Sequence, residues 1–198
     1  MFGLNKTYKT SSEQELLSAC KKNKRAAQHE LYTRFSKTMY NTCLAYAKNS
    51  DVAQELLQDG FLKVFTNIEK FDGKGSLEGW IRRVMINTCI DYIRKIQPQF
   101  VSIDLKEFYS FKLKQFDYNS ATKTHEKEHF LYLIQNLAPG YRTIMNLHYG
   151  ENMTHEEIAK QLNITVGTSK SQLARGKFLL KKHLEEYLLK EKEVKYGS

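Results

Sequence analysis

Residues 154–182 carry the side chains best suited to contact a nucleic acid. Thr154 and Glu157 form a capping box that can start a short helix. Asn163 follows where the tight turn between two helices needs a residue that tolerates left-handed backbone angles. Thr165 can then cap a second helix. The order of these signals predicts a helix-turn-helix.

The second helix of this motif begins with small polar side chains and then carries basic residues, with no acid before Glu185. Such a helix can place its amino-terminal end in a major groove, where side chains contact base edges and lysines contact phosphates. We expect base contacts from Thr168, Ser169, Lys170, Ser171 and Gln172. The alternative is an ordinary helical hairpin with a solvated basic face.

A second polar surface is predicted on a helix from about residue 76 to residue 96. Its stripe recurs at spacings of four, four and three, and consists of Arg83, Asn87, Asp91 and Arg94. With the glycine-containing turn at residues 71–76, this surface could hold an unstacked single strand. Trp80 is expected in the core rather than as a stacking platform.

The preceding helix has polar residues along one side, namely Asp51, Glu55, Gln58 and Asp59. Acids make a poor DNA surface, so this side faces either a protein partner or solvent, and composition alone favours solvent. Ser50 or Asp51 is expected to cap this helix. Gly60 inside it should cost about 1 kcal/mol relative to alanine.

The whole chain is predicted to be all-α, with two small helical domains joined by a linker. It has 198 residues, two prolines and a hydrophobic fraction of 41%, enough for compact cores, and its net charge of +9 favours a polyanionic partner. The predicted domains are residues 1–97 and 125–189, with a linker at 98–124 and a basic, fraying tail at 190–198. Because the linker is rich in aromatic residues, it is expected to pack on its own domains, to form a short helix or to lie in a groove of a partner.

The sequence offers no pattern for catalysis or for binding a metal or cofactor. The three cysteines are far apart and suggest core residues, and the six histidines have no acid or cysteine partners at ligand spacing. We find no nucleophile, phosphate loop, secretory signal or long apolar run. A non-enzymatic, soluble, cytoplasmic protein with no cofactor is expected.

Four segments resemble the extracytoplasmic-function sigma factors of bacterial RNA polymerase, which belong to the sigma-70 family. Asp51–Phe65 (DVAQELLQDGFLKVF) and Trp80–Lys95 (WIRRVMINTCIDYIRK) resemble region 2 of that family. Leu137–Arg142 (LAPGYR) and Glu157–Arg175 (EIAKQLNITVGTSKSQLAR) resemble region 4. Asn163, Ser169 and Gln172 depart from the family pattern, which often has glycine, an apolar residue and a basic residue at these positions.

The resemblance implies a role for each domain. Region 2 would bind the beta-prime clamp helices of core RNA polymerase through Glu55, Gln58, Asp59 and Phe61. It would also capture bases of the minus-ten strand through Phe71, Lys74, Ser76, Arg83, Asn87 and Arg94. Region 4 would recognise minus-thirty-five duplex DNA through Lys170, Ser171 and Arg175 and would touch the beta flap. The linker would run towards the RNA exit path, and an anti-sigma factor is a further expected partner.

Two other functions fit parts of this pattern. One is an independent helix-turn-helix regulator whose amino-terminal domain binds a ligand or dimerises. The other is a helical nucleic-acid enzyme, against which the missing cluster of metal-binding acids argues.

Overall fold

The computed structural model describes residues 8–96 and 133–196, with side chains up to residue 185. All regular secondary structure in these ranges is helical, so the all-α prediction is confirmed. The chain divides into two compact units between Tyr92 and Ile93. The predicted linker at residues 98–124 lies outside the described residues.

The described part of the first unit contains three α-helices, one short 3-10 turn and most of a fourth α-helix, whose residues from Ile93 onward belong to the second unit. The helices are α1 (Glu13–Lys21), α2 (Arg25–Tyr46), α3 (Ser50–Asn67) and α4 (Leu77–Ile96), and the 3-10 turn is Ile68–Lys70. The core is apolar, and its fully buried side chains include Leu16, Leu31, Met39, Ile81 and Met85.

Side chains at the amino-terminal ends determine where the helices of this unit begin. A capping box of Ser12 and Glu15 starts α1. The cap predicted at Ser50 or Asp51 was wrong, because Asn49 caps α3 and its Oδ1 accepts a hydrogen bond from the Val52 amide at 3.0 Å. Asn49 has an extended backbone, with φ of −152°, whereas Ser50 is already the first helical residue.

Gly60 allows α3 to approach α4 closely. A Cβ atom at this position would overlap Sδ of Met85, which is fully buried on α4. The residue that weakens the helix locally is therefore the one that the packing between the helices requires.

The three cysteines are all buried, as the sequence predicts. Burial raises the pKa of the Cys20 thiol to about 11. The thiol of Cys20 is therefore protonated at neutral pH, which is typical of a core residue rather than a nucleophile.

After the end of α4, the described part of the second unit resumes with a helical segment at residues 133–136. It continues with α5 (Pro139–Met145), a π-helical turn (Asn146–Gly150), α6 (His155–Leu162) and α7 (Val166–Tyr196). Gly176 lets α7 pack against α5, since a Cβ there would lie 3.0 Å from Met145 Sδ and 3.2 Å from Tyr141 Cβ.

The last helix is longer than predicted. It continues to Tyr196, whereas the sequence predicts a fraying tail from residue 190. Leucine, lysine and glutamate dominate this stretch, and all three have high helix propensity, which favours continuation of the helix. Within the described ranges, no helix is both long and apolar enough to cross a membrane.

Candidate nucleic-acid and protein interfaces

The predicted helix-turn-helix is present as α6 and α7. Thr154 N donates to Glu157 Oε2 at 2.8 Å, and Glu157 N donates to Thr154 Oγ1 at 3.2 Å. Asn163 has left-handed angles, φ 55° and ψ 51°. Thr165 Oγ1 accepts from the Thr168 amide at 3.0 Å and so caps α7. Each local signal therefore performs the structural task predicted for it.

The capping box also affects an ionisable group. Glu157 accepts hydrogen bonds from the backbone amide and the hydroxyl of Thr154, and these bonds lower the pKa of its carboxyl. The carboxylate therefore stays ionised at the amino-terminal end of α6, where the helix dipole favours negative charge.

Four of the six residues predicted to contact the minus-thirty-five DNA have solvent-accessible side chains at the start of α7. Lys170 is exposed, whereas Thr168, Ser171 and Arg175 are half-buried. Ser171 Oγ donates to the Thr168 carbonyl at 3.1 Å, which fixes its rotamer against the helix. This end of α7 thus presents one exposed cation, Lys170, beside half-buried polar groups.

Ser169 and Gln172 require a correction, because both point into the protein. Ser169 is 0% exposed and Gln172 is 5% exposed, so neither presents its side chain to a DNA groove in this structure. Their spacing of three residues puts them on the inward side of α7, where Leu173 is also buried. The apolar residue that the sigma family often has in place of Ser169 was a signal that this position faces inward.

The burial of Ser169 is explained by a pair of histidines that sequence reasoning left without a role. Its Oγ lies 2.8 Å from Nδ1 of His155, at the start of α6. The ring of His155 stacks on that of His148, with centroids 4.9 Å apart and planes 13° apart. His148 Nδ1 in turn donates to the Met153 carbonyl at 3.0 Å. The chain of contacts joins the π-helical turn, α6 and α7.

This environment lowers the pKa of His155 from its ordinary value of 6.5. Burial is the largest cause, followed by the neighbouring His148 and Lys170, while Glu156 acts in the opposite direction. The neutral imidazole is therefore the form that the folded helix-turn-helix favours.

The turn before α4 is exposed from Asp72 to Ser76. Gly73 and Gly75 have positive φ angles of 81° and 86°, which explains the glycines. Asp72 Oδ1 accepts from the Lys74 amide at 3.0 Å, and Ser76 Oγ caps α4 by accepting from the Gly79 amide at 3.0 Å. Lys74 and Ser76 are thus accessible to a ligand, as the sigma resemblance implies.

Phe71 requires a second correction, because it is a core residue. Its side chain is 5% exposed and its ring centroid lies 5.7 Å from that of Trp80, which is half-buried. The side chain of Phe71 therefore packs into the core beside the polar turn, and it is not placed to capture a base.

The polar stripe on α4 faces solvent. Arg83, Asn87 and Arg94 are exposed, as is Asp91. Asp91 Oδ2 pairs with Lys63 Nζ of α3 at 3.1 Å. The stripe therefore presents two arginines and an amide around a charge pair, a pattern suited to phosphates and bases.

The polar side of α3 is also exposed at Glu55, Gln58 and Asp59. Phe61 requires a third correction, since it is 3% exposed and its ring packs 4.7 Å from that of Tyr32. Sequence reasoning missed its neighbour Leu62, whose side chain is 65% exposed.

Leu62 extends the acidic surface of α3 by one turn. It follows Glu55, Gln58 and Asp59 by seven, four and three residues, so all four share one helix face. Helical periodicity was the sequence signal that favours Leu62 over Phe61 as a member of this face. We call Glu55, Gln58, Asp59 and Leu62 the α3 face.

Among the described residues, no group of three or more histidine, cysteine or acidic side chains could hold a metal ion.

Comparison with known proteins agrees with both halves of this arrangement. Residues 31–98 match the family model of sigma-70 region 2, and residues 128–178 match that of sigma-70 region 4. The chain is 31% identical to the RNA polymerase sigma-E factor of Streptomyces coelicolor over 133 residues, which cover 67% of this chain and 71% of that protein. It is 27% identical to the ECF RNA polymerase sigma factor SigW of Bacillus subtilis over 175 residues, covering 84% and 93% of the two chains.

A solved structure shares the fold. The sigma factor RpoE of Bartonella quintana, crystallised with the anti-sigma factor NepR, superposes with a TM-score of 0.51 at 16% identity and covers 79% of this chain and 96% of its own. Two region models in the expected order, with a relative above 30% identity, establish the family. The chain belongs to the extracytoplasmic-function sigma factors of the sigma-70 family, the non-enzymatic initiation factors that direct RNA polymerase to promoters.

Proposed function

We propose that the chain binds core RNA polymerase through the α3 face, captures minus-ten DNA beside α4 and recognises minus-thirty-five DNA through α7. The observation that carries this proposal is the exposed polar and basic start of α7 within a complete helix-turn-helix. In such motifs the second helix enters the major groove by its amino-terminal residues.

The α3 face supports the polymerase contact. It combines exposed acids with a large exposed apolar side chain, Leu62, on a protein whose net charge is +9. Acids repel DNA phosphates, while an apolar residue surrounded by polar ones is typical of a protein interface. We assign this face to the beta-prime clamp helices.

Residues of the turn and of α4 support capture of the minus-ten strand. Lys74 and Ser76 are exposed on the turn, and Arg83, Asn87 and Arg94 are exposed on α4. Arginines beside an amide can hold the backbone and the edges of unpaired bases. Unpairing costs a few kcal/mol, which base and backbone contacts offset.

The minus-thirty-five contact is assigned to Thr168, Lys170, Ser171 and Arg175. Lys170 is the exposed member of this set, so we expect it to contribute most to base or phosphate contacts. Region 4 is also assigned to the beta flap.

The two modules act jointly in this proposal. Residues 1–97 and 125–189 are each assigned one promoter element, and residues 98–124 connect them towards the RNA exit path. Once the polymerase sets the separation of the modules, a second contact becomes intramolecular and effective concentration increases the affinity.

We also place the protein in the cytoplasm, where its polymerase works, and propose an anti-sigma factor as a regulator. The Bartonella sigma factor that shares this fold was crystallised with such a partner.

The polymerase contact is tested by reversing charge on the α3 face. Asp59→Lys should weaken capture of core RNA polymerase by the full-length chain, because it places a like charge in the middle of the acidic surface. Glu78→Lys is the matched control, since it reverses the charge of an exposed acid on α4, outside the α3 face. Equal binding by wild type and Asp59→Lys would contradict the assignment.

A further inference from the structure

The turn at Asp72–Ser76 receives little support from its own surroundings. All five residues are exposed, and a Cβ built on Gly73 or Gly75 would have no atom within 4 Å. The one side-chain to backbone bond inside the turn, Asp72 to Lys74, is local. The position of the turn relative to the rest of the unit therefore depends on what holds its two ends.

Both ends are held by α1, which sequence reasoning gave no functional role. Lys21 Nζ donates to the Phe71 carbonyl at 2.9 Å, directly before the turn. Glu13 Oε1 accepts from the Leu77 amide at 3.2 Å, directly after it. A cation thus holds a carbonyl at one end, and an acid holds an amide at the other.

The second of these bonds also completes the start of α4. The first amides of a helix have no partner within the helix. Ser76 Oγ accepts from the Gly79 amide, and Glu13 accepts from the Leu77 amide. Glu13 therefore caps α4 from a different helix and links the two.

The residues behind these contacts are packed in the core. Leu16 and Cys20, which lie between Glu13 and Lys21 along α1, are fully buried. Phe71 and Leu77, which flank the turn, are buried as well. Eight residues of α-helix span about 12 Å, so α1 sets the distance between the two residues that hold the ends of the turn.

We propose that Glu13 and Lys21 are positioning residues for minus-ten recognition, because they set where the Asp72–Ser76 turn presents Lys74 and Ser76. This inference rests on the proposed function of the turn. Neither residue touches DNA in this proposal. They act through the turn, and small displacements of a positioned group have large effects on recognition.

The test uses the full-length chain with core RNA polymerase and a promoter library randomised at the minus-ten element. Transcripts are sequenced to obtain the base preference at each position. Lys21→Met and Glu13→Ala each remove one anchor, and we expect each to reduce the preference for the best minus-ten base by roughly 3-fold to 10-fold, the range of one typical hydrogen bond. Capture of core polymerase should not change.

Conservative and control variants separate positioning from general stability. Lys21→Arg keeps a donor and Glu13→Gln keeps an acceptor, so both should restore the preference. Lys22→Met and Glu69→Ala remove exposed charges close to the anchors without breaking either bond, and should behave as wild type. Each variant breaks only one of the two bonds. If one variant fails to fold, the other still tests the proposal.

An unchanged base preference in a folded Lys21→Met or Glu13→Ala variant would overturn the proposal, even if the thermal midpoint fell. The same would hold if the control variants lost preference equally. A wrong assignment of the proposed function would give a different result, because the wild-type chain itself would then yield no promoter-specific transcripts.

Discussion

The polar residues on the first turns of α7 have similar chemistry, but some side chains point into the protein and others point to solvent. Ser169 and Gln172 are buried, whereas Lys170 is exposed and Ser171 is half-buried. The inward residues hold the motif together, with Ser169 bonded to His155 of α6. The outward ones remain available to DNA, so the base contacts should come from fewer residues than the sequence suggests.

Replacing Lys170 with alanine tests this division. We expect Lys170→Ala to weaken binding to minus-thirty-five duplex DNA by about 1 to 3 kcal/mol if its side chain contacts a base. The holoenzyme's affinity for promoter fragments, measured at fixed salt, provides the readout. Lys37→Ala is the control, since Lys37 is exposed on α2, outside every surface assigned to DNA. Unchanged promoter occupancy in Lys170→Ala would refute the base contact.

The stacked histidines predict a pH dependence of stability. Burial, His148 and Lys170 lower the pKa of His155 despite the opposing effect of Glu156, so the unfolded chain takes up a proton more readily than the folded one. The resulting stability is fully present above pH 6.5 and is lost as the pH falls below this value.

His155→Gln should therefore flatten the decline in stability of the second unit on acidification. Amide hydrogen exchange in α6, followed between neutral and mildly acidic pH, provides the measurement. His29→Gln is the control, because His29 is exposed on α2. A His155→Gln variant with the same pH slope as wild type would show that His155 does not contribute.

At the scale of elements, local signals were predictable and tertiary ones were not. The Thr154 capping box and the left-handed Asn163 followed from the sequence because their causes lie within a few residues. Phe61 and Phe71 were misassigned because burial depends on which distant residues, such as Tyr32 and Trp80, pack against them. Family resemblance identified helices and surfaces, but not the direction of each side chain.

The α1 anchors show the same limit. Glu13 and Lys21 contact backbone atoms that are 64 and 50 residues away along the chain. No local sequence pattern predicts such contacts, because a charged residue on an amphipathic helix is ordinarily solvated. The α3 face was partly predictable, because helical spacing placed the acids on one side of α3, but the family resemblance pointed to Phe61 rather than Leu62.

Gly60 provides a test of packing between elements. Gly60→Ala should gain about 1 kcal/mol of helix propensity, yet lose about 1 to 3 kcal/mol by overpacking against Met85, so a net decrease in the free energy of unfolding is expected. Thermal or denaturant unfolding measures this change.

A double mutant isolates the cause of that loss. In a Met85→Ala background, the Gly60→Ala change should be neutral or stabilising, because the overlapping side chain is gone. An equal loss in both backgrounds would show that the contact with Met85 is not responsible.

At the scale of the whole molecule, the surfaces suit different partners. The basic start of α7 and the arginines of α4 suit nucleic acid, whereas the α3 face suits a protein. A free helix-turn-helix regulator would need only the first kind of surface. The presence of both kinds on a chain of the sigma-70 family is the basis for assigning a joint action with the polymerase.

Initiation in a reconstituted system tests this account most directly. The full-length chain is added to core RNA polymerase with fragmented genomic DNA, and the 5′ ends of the transcripts are sequenced. We predict transcripts that begin at discrete sites, downstream of shared minus-ten and minus-thirty-five elements, and only when both components are present. Tight binding of the chain alone to a palindromic duplex, without any promoter-specific transcript, would contradict the account.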